Sequence, residues 1–467
     1  MKRIFMVCFT LFIGMFVSTT LEGAPELIWN TAPQLLETSE YEAYDPQVAM
    51  SGDKVVAVWQ QYDGSYLNIY SSCSTDGGAT WETAQMLETA NYDAYSPQVA
   101  ISGDKVVAVW LQRDGTYNSI YSNCSTDGGA TWETAQLLET ADYNADYPQV
   151  AISGDKVVAV WPQSDGTDDN IYARYSTDGG ATWETAQLLE TADYDADDPQ
   201  VAMSGDKVVA VWYQRSGSYA SIYSNYSTDG GATWETAQLL ETADYDAYYP
   251  QVAMSGDKVV AVWRQSDGTY NNIHARYSTD GGATWETAQL LETANYDAES
   301  PQVAMDGNKV AAVWLQSDGS SVSIYSNYST DGGATWGTAQ LLENNTTGDA
   351  YGPQVAVSGD KVVAVWSQYF SSFQSIYANF GQFVDLARSD GWCFIATAAY
   401  GTPMASEVMK LQDFRDRHLL TNRAGRAFVR WYYKHSPSAA SYISRRPAVR
   451  MLVRTVLRPL AWLVSLR

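Results

Sequence analysis

The sequence predicts an all-β chain: a seven-bladed β-propeller closed by its own N-terminal strand, followed by a small, basic helical C-terminal domain. Three observations predict it. The peptide STDGGATW begins at Ser74 and returns at Ser125, Ser176, Ser227, Ser278 and Ser329, always 51 residues apart. Each repeat holds four short runs rich in Val, Ile, Tyr, Trp and Thr, each ended by Gly, Asp or Ser, which read as strands. A Pro-Gln-Val run occurs seven times, from Pro46 to Pro353, and a run ending in Trp occurs seven times, from Trp59 to Trp366. Four antiparallel strands at this period read as propeller blades.

The elements follow in chain order. Met1-Lys2-Arg3 precedes an apolar run from Ile4 to Val17, then Ser18, Thr19, Thr20 and a Gly23-Ala24 pair, which reads as a secretory signal over residues 1 to 24. The run is short for a membrane span. Cys8 lies inside it, not at its end, which argues against a lipoprotein, so the chain is expected to be exported, to the cell envelope or the medium.

Residues 26 to 381 form the propeller. In each unit strand A opens on Pro, where a missing N–H is tolerated. Ser-Gly-Asp-Lys turns the chain into strand B, strand C follows, and the eight-letter peptide leads into strand D. Strand C also occurs seven times, but its last copy, SIYANFGQF, has no strand D behind it. LIWNTAPQLLET at Leu27 matches ATWETAQLLET, so residues 27 to 37 are expected to pair with the last strand C, closing a ring of 28 strands and removing its free edges.

Charge separates the two regions. Residues 1 to 381 carry 14 Lys+Arg against 49 Asp+Glu, and residues 382 to 467 carry 14 against 5. The acidic part would repel a phosphate backbone, so nucleic acid is not an expected partner. Cys73 and Cys124 occupy equivalent positions where later copies have Tyr175, Tyr226, Tyr277 and Tyr328, and read as small apolar stand-ins, not a disulfide.

Six matches to Ser-x-Asp-x-Gly-x-x-Trp resemble the Asp-box of the bacterial neuraminidase repeat family. The resemblance implies a structural hairpin in which Asp76, Asp127, Asp178, Asp229, Asp280 and Asp331 accept backbone hydrogen bonds while Trp81, Trp132, Trp183, Trp234, Trp285 and Trp336 pack into the sheet. Sialidases of that family clamp their substrate with three arginines, one in an Arg-Ile-Pro motif. No Arg-Ile-Pro occurs in this sequence, and Arg113, Arg174, Arg215, Arg264 and Arg276 sit in repeat positions. The sequence reading is therefore not an enzyme, with a sialidase-type glycoside hydrolase as the alternative. His274 is the one propeller histidine and stands where other blades have Tyr, so neither a histidine triad nor a histidine metal cluster is expected, and no cofactor or metal is assigned. Asp193, Asp195 and Asp197 resemble the start of a calcium loop without its Gly and closing Glu; a solvated acidic loop accounts for them better.

Comparison of copies supplies the functional expectation. In an antiparallel meander the A–B and C–D turns share one face of the ring and the B–C and D–A loops the other. The first face repeats; the second varies at Tyr44, Asp45, Gln60, Tyr95, Leu111, Asp146, Tyr147, Asp197, Asp198, Tyr213, Tyr248, Tyr249, Arg264, Glu299 and Tyr351. These are the candidate mouth residues for a protein or glycan ligand, with neutral drift as the competing explanation. Variation favours one composite platform on a monomer, whereas the constant Tyr-Asp-Ala steps suit a multivalent lectin.

After a linker at 382 to 391, residues 392 to 467 resemble the CFI-box C-terminal domain of exported bacterial proteins through Cys393-Phe394-Ile395-Ala396-Thr397-Ala398-Ala399-Tyr400-Gly401. The resemblance implies a sorting or envelope role, with Cys393 as a processing or attachment site or a buried thiol. Arg446, Arg450, Arg454 and Arg458 recur every fourth residue among Val449, Leu452, Val453, Val456 and Leu457, a basic amphipathic pattern suited to peripheral contact with an anionic membrane, or to packing on its own domain.

Overall fold

The computed structural model describes residues 42 to 383 apart from short loop stretches at 89–91, 114, 140–142, 191–193, 242–243, 293–294, 344–347 and 371–372, together with residues 36, 408, 410, 451, 453 and 454. The signal segment, residues 27 to 35, Glu37, linker residues 384 to 391 and Cys393 lie outside the described residues, as does nearly all of the C-terminal domain, whereas Gln382, assigned to the linker from sequence, ends the last strand of the propeller. Val408, Lys410, Met451, Val453 and Arg454 are helical. Among the described residues no helix is long and apolar enough to cross a membrane.

The compact unit Ala32–Phe383 is an all-β, seven-bladed propeller. Six blades are four-stranded antiparallel meanders in the order A-B-C-D, and the seventh shows three strands, Ala350–Ser358, Lys361–Phe370 and Phe373–Gln382. Strand B is the spine of every blade. In Lys207–Ser216, Val208, Val209, Ala210, Val211 and Trp212 are all buried, because one sheet face packs on the preceding blade and the other on the next. A strand buried on both faces reads as a continuous apolar run, not an alternation.

Six apolar clusters each fuse two consecutive blades. The one between blades 3 and 4, for example, joins Val158, Val160 and Ile171 to Val208, Ala210 and Trp212. The spine Trp stacks on the strand C Tyr opposite it, as Trp212 on Tyr223 at 6.4 Å, and His274 takes the Tyr place against Trp263 at 6.1 Å. Burial lowers the His274 pKa, consistent with a neutral packed ring. Every spine Trp donates its indole N–H to the Gln two residues on, Trp59 to Gln61 at 3.1 Å and Trp263 to Gln265 at 3.1 Å. Gln265 in turn donates to Glu241, a buried carboxylate in the loop entering blade 5, at 3.1 Å. This chain satisfies polar groups that the core would otherwise strand.

Each STDGGATW peptide forms a tight turn. Asp229 accepts from the Thr233 N–H at 2.9 Å, the Thr233 hydroxyl at 2.7 Å and the Ser227 hydroxyl at 2.8 Å, and Gly231 N–H donates to Ser227 Oγ at 2.9 Å. Thr80 and Ser74 bonds hold the equivalent Asp76 carboxyl down to about 2. The turn packs on the A–B hairpin of its own blade, Gly230 N–H to Asp206 O at 2.8 Å, which puts both repeated turns on one face. Strand D is shorter than the sequence suggests. Only two residues, such as Gln238–Leu239, join the ladder, flanked by single bonds from Glu235 to Tyr226 and Leu240 to Ile222. Cys73 and Cys124 are buried free thiols in successive interblade clusters.

Candidate functional site

The opposite face is built by a bulge. In each blade with a paired strand A start, the ladder slips between that start and the Gln after Pro, as between Asp197 and Gln200. The residue before Pro takes a positive φ in every blade: Asp45 47°, Ser96 51°, Tyr147 41°, Asp198 51°, Tyr249 55°, Ser300 51° and Gly352 55°. Non-Gly residues rarely adopt this conformation, and strained positions of this kind cluster at functional surfaces.

Cross-strand pairing unites the sequence-predicted residues two by two. Tyr44 faces Gln60, Tyr95 faces Leu111, Asp197 faces Tyr213, Tyr248 faces Arg264, Glu299 faces Leu315 and Tyr351 faces Ser367. Blade 3 differs because Pro162 has no N–H to return. Asp146 still donates to Pro162 O at 3.1 Å, but strand A shortens to Gln149–Ser153. Not every candidate reaches the surface. Gln60 is buried and donates to Asp45 at 2.8 Å, and Leu111 is buried in the cluster between blades 2 and 3 with Tyr95 packed on it. Tyr44, Tyr147, Tyr249 and Tyr351 are exposed.

The richest sector spans blades 3 to 6. The Tyr213 and Tyr248 rings meet edge to face at 5.0 Å, and the Arg264 guanidinium lies 5.0 Å from both the Tyr248 and Tyr249 rings. Arg264 donates to Glu299 at 2.8 Å, and Asn271 donates to the other Glu299 oxygen at 2.8 Å. Beside this aromatic group, Asp198 and Tyr249 line a cavity of about 180 Å³ with Gln200, Gln251, Ser300 and Gln302.

Carboxylates crowd the other flank. Burial, with Asp197 alongside, pushes the Asp198 carboxyl up to about 6. Asp197 is also raised, by burial and by Asp169 and Asp146, while the Tyr213 hydroxyl bonds to it. Burial and both aspartates raise the Tyr213 phenol. A carboxyl that keeps its proton near pH 6 donates a hydrogen bond or holds a proton for transfer. Arg264, matched by Glu299, braces the tyrosines and does not act as a free anion clamp.

Three residues on this face escaped the sequence reading. Asn118, Asp169 and Asn271 begin strand C and face the mouth; Asn118 donates to Asp146 at 2.9 Å. Their signal was present, since this position also varies between copies: Leu67, Asn118, Asp169, Ala220, Asn271 and Val322. The constant Tyr-Asp-Ala steps have a scaffold cause. Asp246 accepts the Ala220 N–H of the preceding blade at 2.9 Å, and the Tyr245 ring lies against Gly268, so this constancy carries no signal for repeated ligand pockets. Among the described residues no three His, Cys, Asp or Glu side chains are set to hold a metal ion. Asp193 lies outside the described residues, and Asp195 accepts from Asp169 N–H at 3.4 Å.

The BNR repeat-like domain matches residues 44–207 and, overlapping them, 171–365. No curated protein matches the sequence. Among solved structures the chain is similar to a Hadza microbial sialidase at 16% identity, over 59% of this chain and 63% of that one, with a TM-score of 0.38. It thus spans less than two thirds of that sialidase. It is similar to an α-L-arabinofuranosidase of Fusarium graminearum at 16% identity (60% and 90%; TM-score 0.40) and to an ulvan lyase at 8% identity (72% and 91%; TM-score 0.49). These likenesses concern the fold, and they correct one expectation. The reading that the chain is not an enzyme is corrected: the similar solved structures include a sialidase, an arabinofuranosidase and a polysaccharide lyase, and the fold by itself decides neither way. A missing Arg-Ile-Pro bears on sialidase chemistry alone.

Proposed function

The chain belongs to the BNR repeat-like domain family, and from that premise we propose that it is an exported protein that engages a carbohydrate on its variable face, in the sector from Asp197 to Glu299. One observation supports this above the rest: residues that differ from blade to blade assemble into a contiguous Tyr213–Tyr248–Arg264–Tyr249 group beside a cavity carrying Asp198. Flat aromatic faces suit the C–H faces of a sugar ring, and a few convergent polar groups fix its hydroxyls. Unequal blades argue for one composite site, not seven equal ones. The C-terminal domain would hold the propeller near the envelope.

The test is capture on a glycan array by the full chain, with turnover followed on every glycan that binds. Tyr213→Ala and Tyr249→Gly should each weaken capture at least about tenfold, with Tyr249→Gly leaving the thermal midpoint nearly unchanged. Glycine relieves the positive φ at 249, so a loss there cannot be ascribed to misfolding. Unchanged capture by both variants would remove the site.

A further inference from the structure

The chemistry of the mouth cavity sets the charge of what can occupy it. Three successive bulges build its wall. Asp198, Tyr249 and Ser300, the positive-φ residues before Pro in blades 4, 5 and 6, line it together with Gln200, Gln251 and Gln302, the residues after Pro. The glutamine amides and the Ser300 hydroxyl both donate and accept, which suits the hydroxyl groups of a sugar. Two prolines complete the lining, Asp198 is its one carboxyl group, and no Lys, Arg or His is part of it.

The surroundings add charge of one sign. Arg264, whose guanidinium lies 5.0 Å from the Tyr249 ring, is already matched by Glu299 at 2.8 Å. On the other flank Asp169 and Asp146 act on Asp197, which in turn acts on Asp198, and among the described residues none of these four carboxylates has an ion pair. Burial, with Asp197 alongside, pushes Asp198 up to about 6, so at neutral pH it is ionised at a cost that a neighbouring cation would offset. Tyr249 is 46% exposed, and the face of such a ring attracts a cation. Among the described residues no three acidic side chains converge as metal ligands, which favours an organic cation over a metal ion.

We infer that the sugar taken by this cavity is an amino sugar with a free amino group, an inference that rests on the carbohydrate reading and narrows it. The ammonium sits against the Asp198 carboxylate and the Tyr249 ring, while Gln200, Gln251 and Gln302 hold hydroxyl groups. A uronate, a sulfated sugar or a sialic acid would bring a second negative charge into a lining that has no cation to meet it. An N-acetylated sugar keeps the ring and hydroxyls but loses the charge that answers Asp198.

Calorimetric titration of the full chain at neutral pH and about 0.15 M salt tests this with three probes: a glucosamine oligomer, its fully N-acetylated counterpart, and a lysine oligomer of the same charge. The glucosamine oligomer should bind at least about tenfold more tightly than the N-acetylated one, and Asp198→Asn should remove most of that preference. Equal or tighter binding of the N-acetylated oligomer would overturn the amino group and leave the carbohydrate reading standing. A preference that survives in Asp198→Asn, or a lysine oligomer that binds as tightly, would trace the effect to the net charge of −26 and overturn the inference too. If neither sugar oligomer binds, the inference is lost; it falls alone when the array captures other glycans and together with the carbohydrate reading when the array is blank.

Discussion

At φ 51° immediately before Pro199, Asp198 combines two costs, a strained backbone and a carboxylate moved out of water. Its folded pKa, about 6, lies above the ordinary 3.8, so between those values the folded state holds a proton that the unfolded state has released. Stability from this group is therefore full below about pH 4 and is lost as pH rises through 6. At full strength the shift is worth about 3 kcal/mol; solvent screening of a half-buried group cuts this to about 1–2 kcal/mol. Asp198→Asn should accordingly raise the urea midpoint at pH 8 and lose most of that gain at pH 4. A gain that does not depend on pH would show that the ionised carboxylate is not the source. Asp229 represents the opposite case. Burial raises its pKa, but bonds from Thr233 and Ser227 outweigh that and leave it lowered. Asp229→Ala removes one acceptor from three donors and should cost about 1–3 kcal/mol in equilibrium unfolding at pH 7.

Turns and strands set what a blade tolerates. Gly231 has φ 92°, and a Cβ there would meet Val158 Cγ2 at 2.7 Å and Tyr175 Cβ at 3.2 Å, both in the preceding blade. Gly231→Ala should cost about 2–4 kcal/mol through strain and overpacking together. Gly205, at φ 61° with open space around it, would reveal the conformational part alone, so Gly205→Ala should cost clearly less. Equal losses at both sites would mean that the blade contact contributes nothing. The blade plan was legible because turn chemistry and spacing recur: Ser-Gly-Asp-Lys, the box peptide and the spine Trp mark the strands without any tertiary information. The short strand D was not legible, since its apolar residues follow a strand pattern while backbone bonds join only two of them to the ladder. The burial of Leu111 and Gln60 was hidden too. The residue after the spine Trp packs on the cluster shared with the next blade, as Leu111, Tyr213 and Leu315 do, and the side chains of the neighbouring blade decide how much of it is covered.

Across the propeller, apolar clusters and polar ties play unequal parts. On the turn face the Lys–Asp pairs that tie successive blades, such as Lys207 with Asp257, are about one-third exposed on the Lys side and two-thirds on the Asp side, so each contributes about 0–1 kcal/mol and is screened by salt. Raising NaCl from 0.05 to about 1 M should therefore lower the thermal midpoint by only a few degrees, with the β-sheet circular dichroism intact below the transition. Collapse of that signal at high salt would show that the ties, not the clusters, hold the blades together. Seven blades could be counted from the repeats, whereas the composite mouth required the fold, because Asp146, Asp198, Tyr249 and Glu299 are drawn from loops about 50 residues apart that only the sheet stacking brings into one neighbourhood. The uniform couplings have one more consequence. On the turn face, where most joints are a Lys–Asp pair beside a Gly–Ser bond, cutting out or copying one 51-residue segment would leave joints of the same kind. A unit could thus be gained or lost with the turn-face joints kept, whereas mouth contacts that cross between unlike blades, such as Arg264–Glu299, would have to be remade.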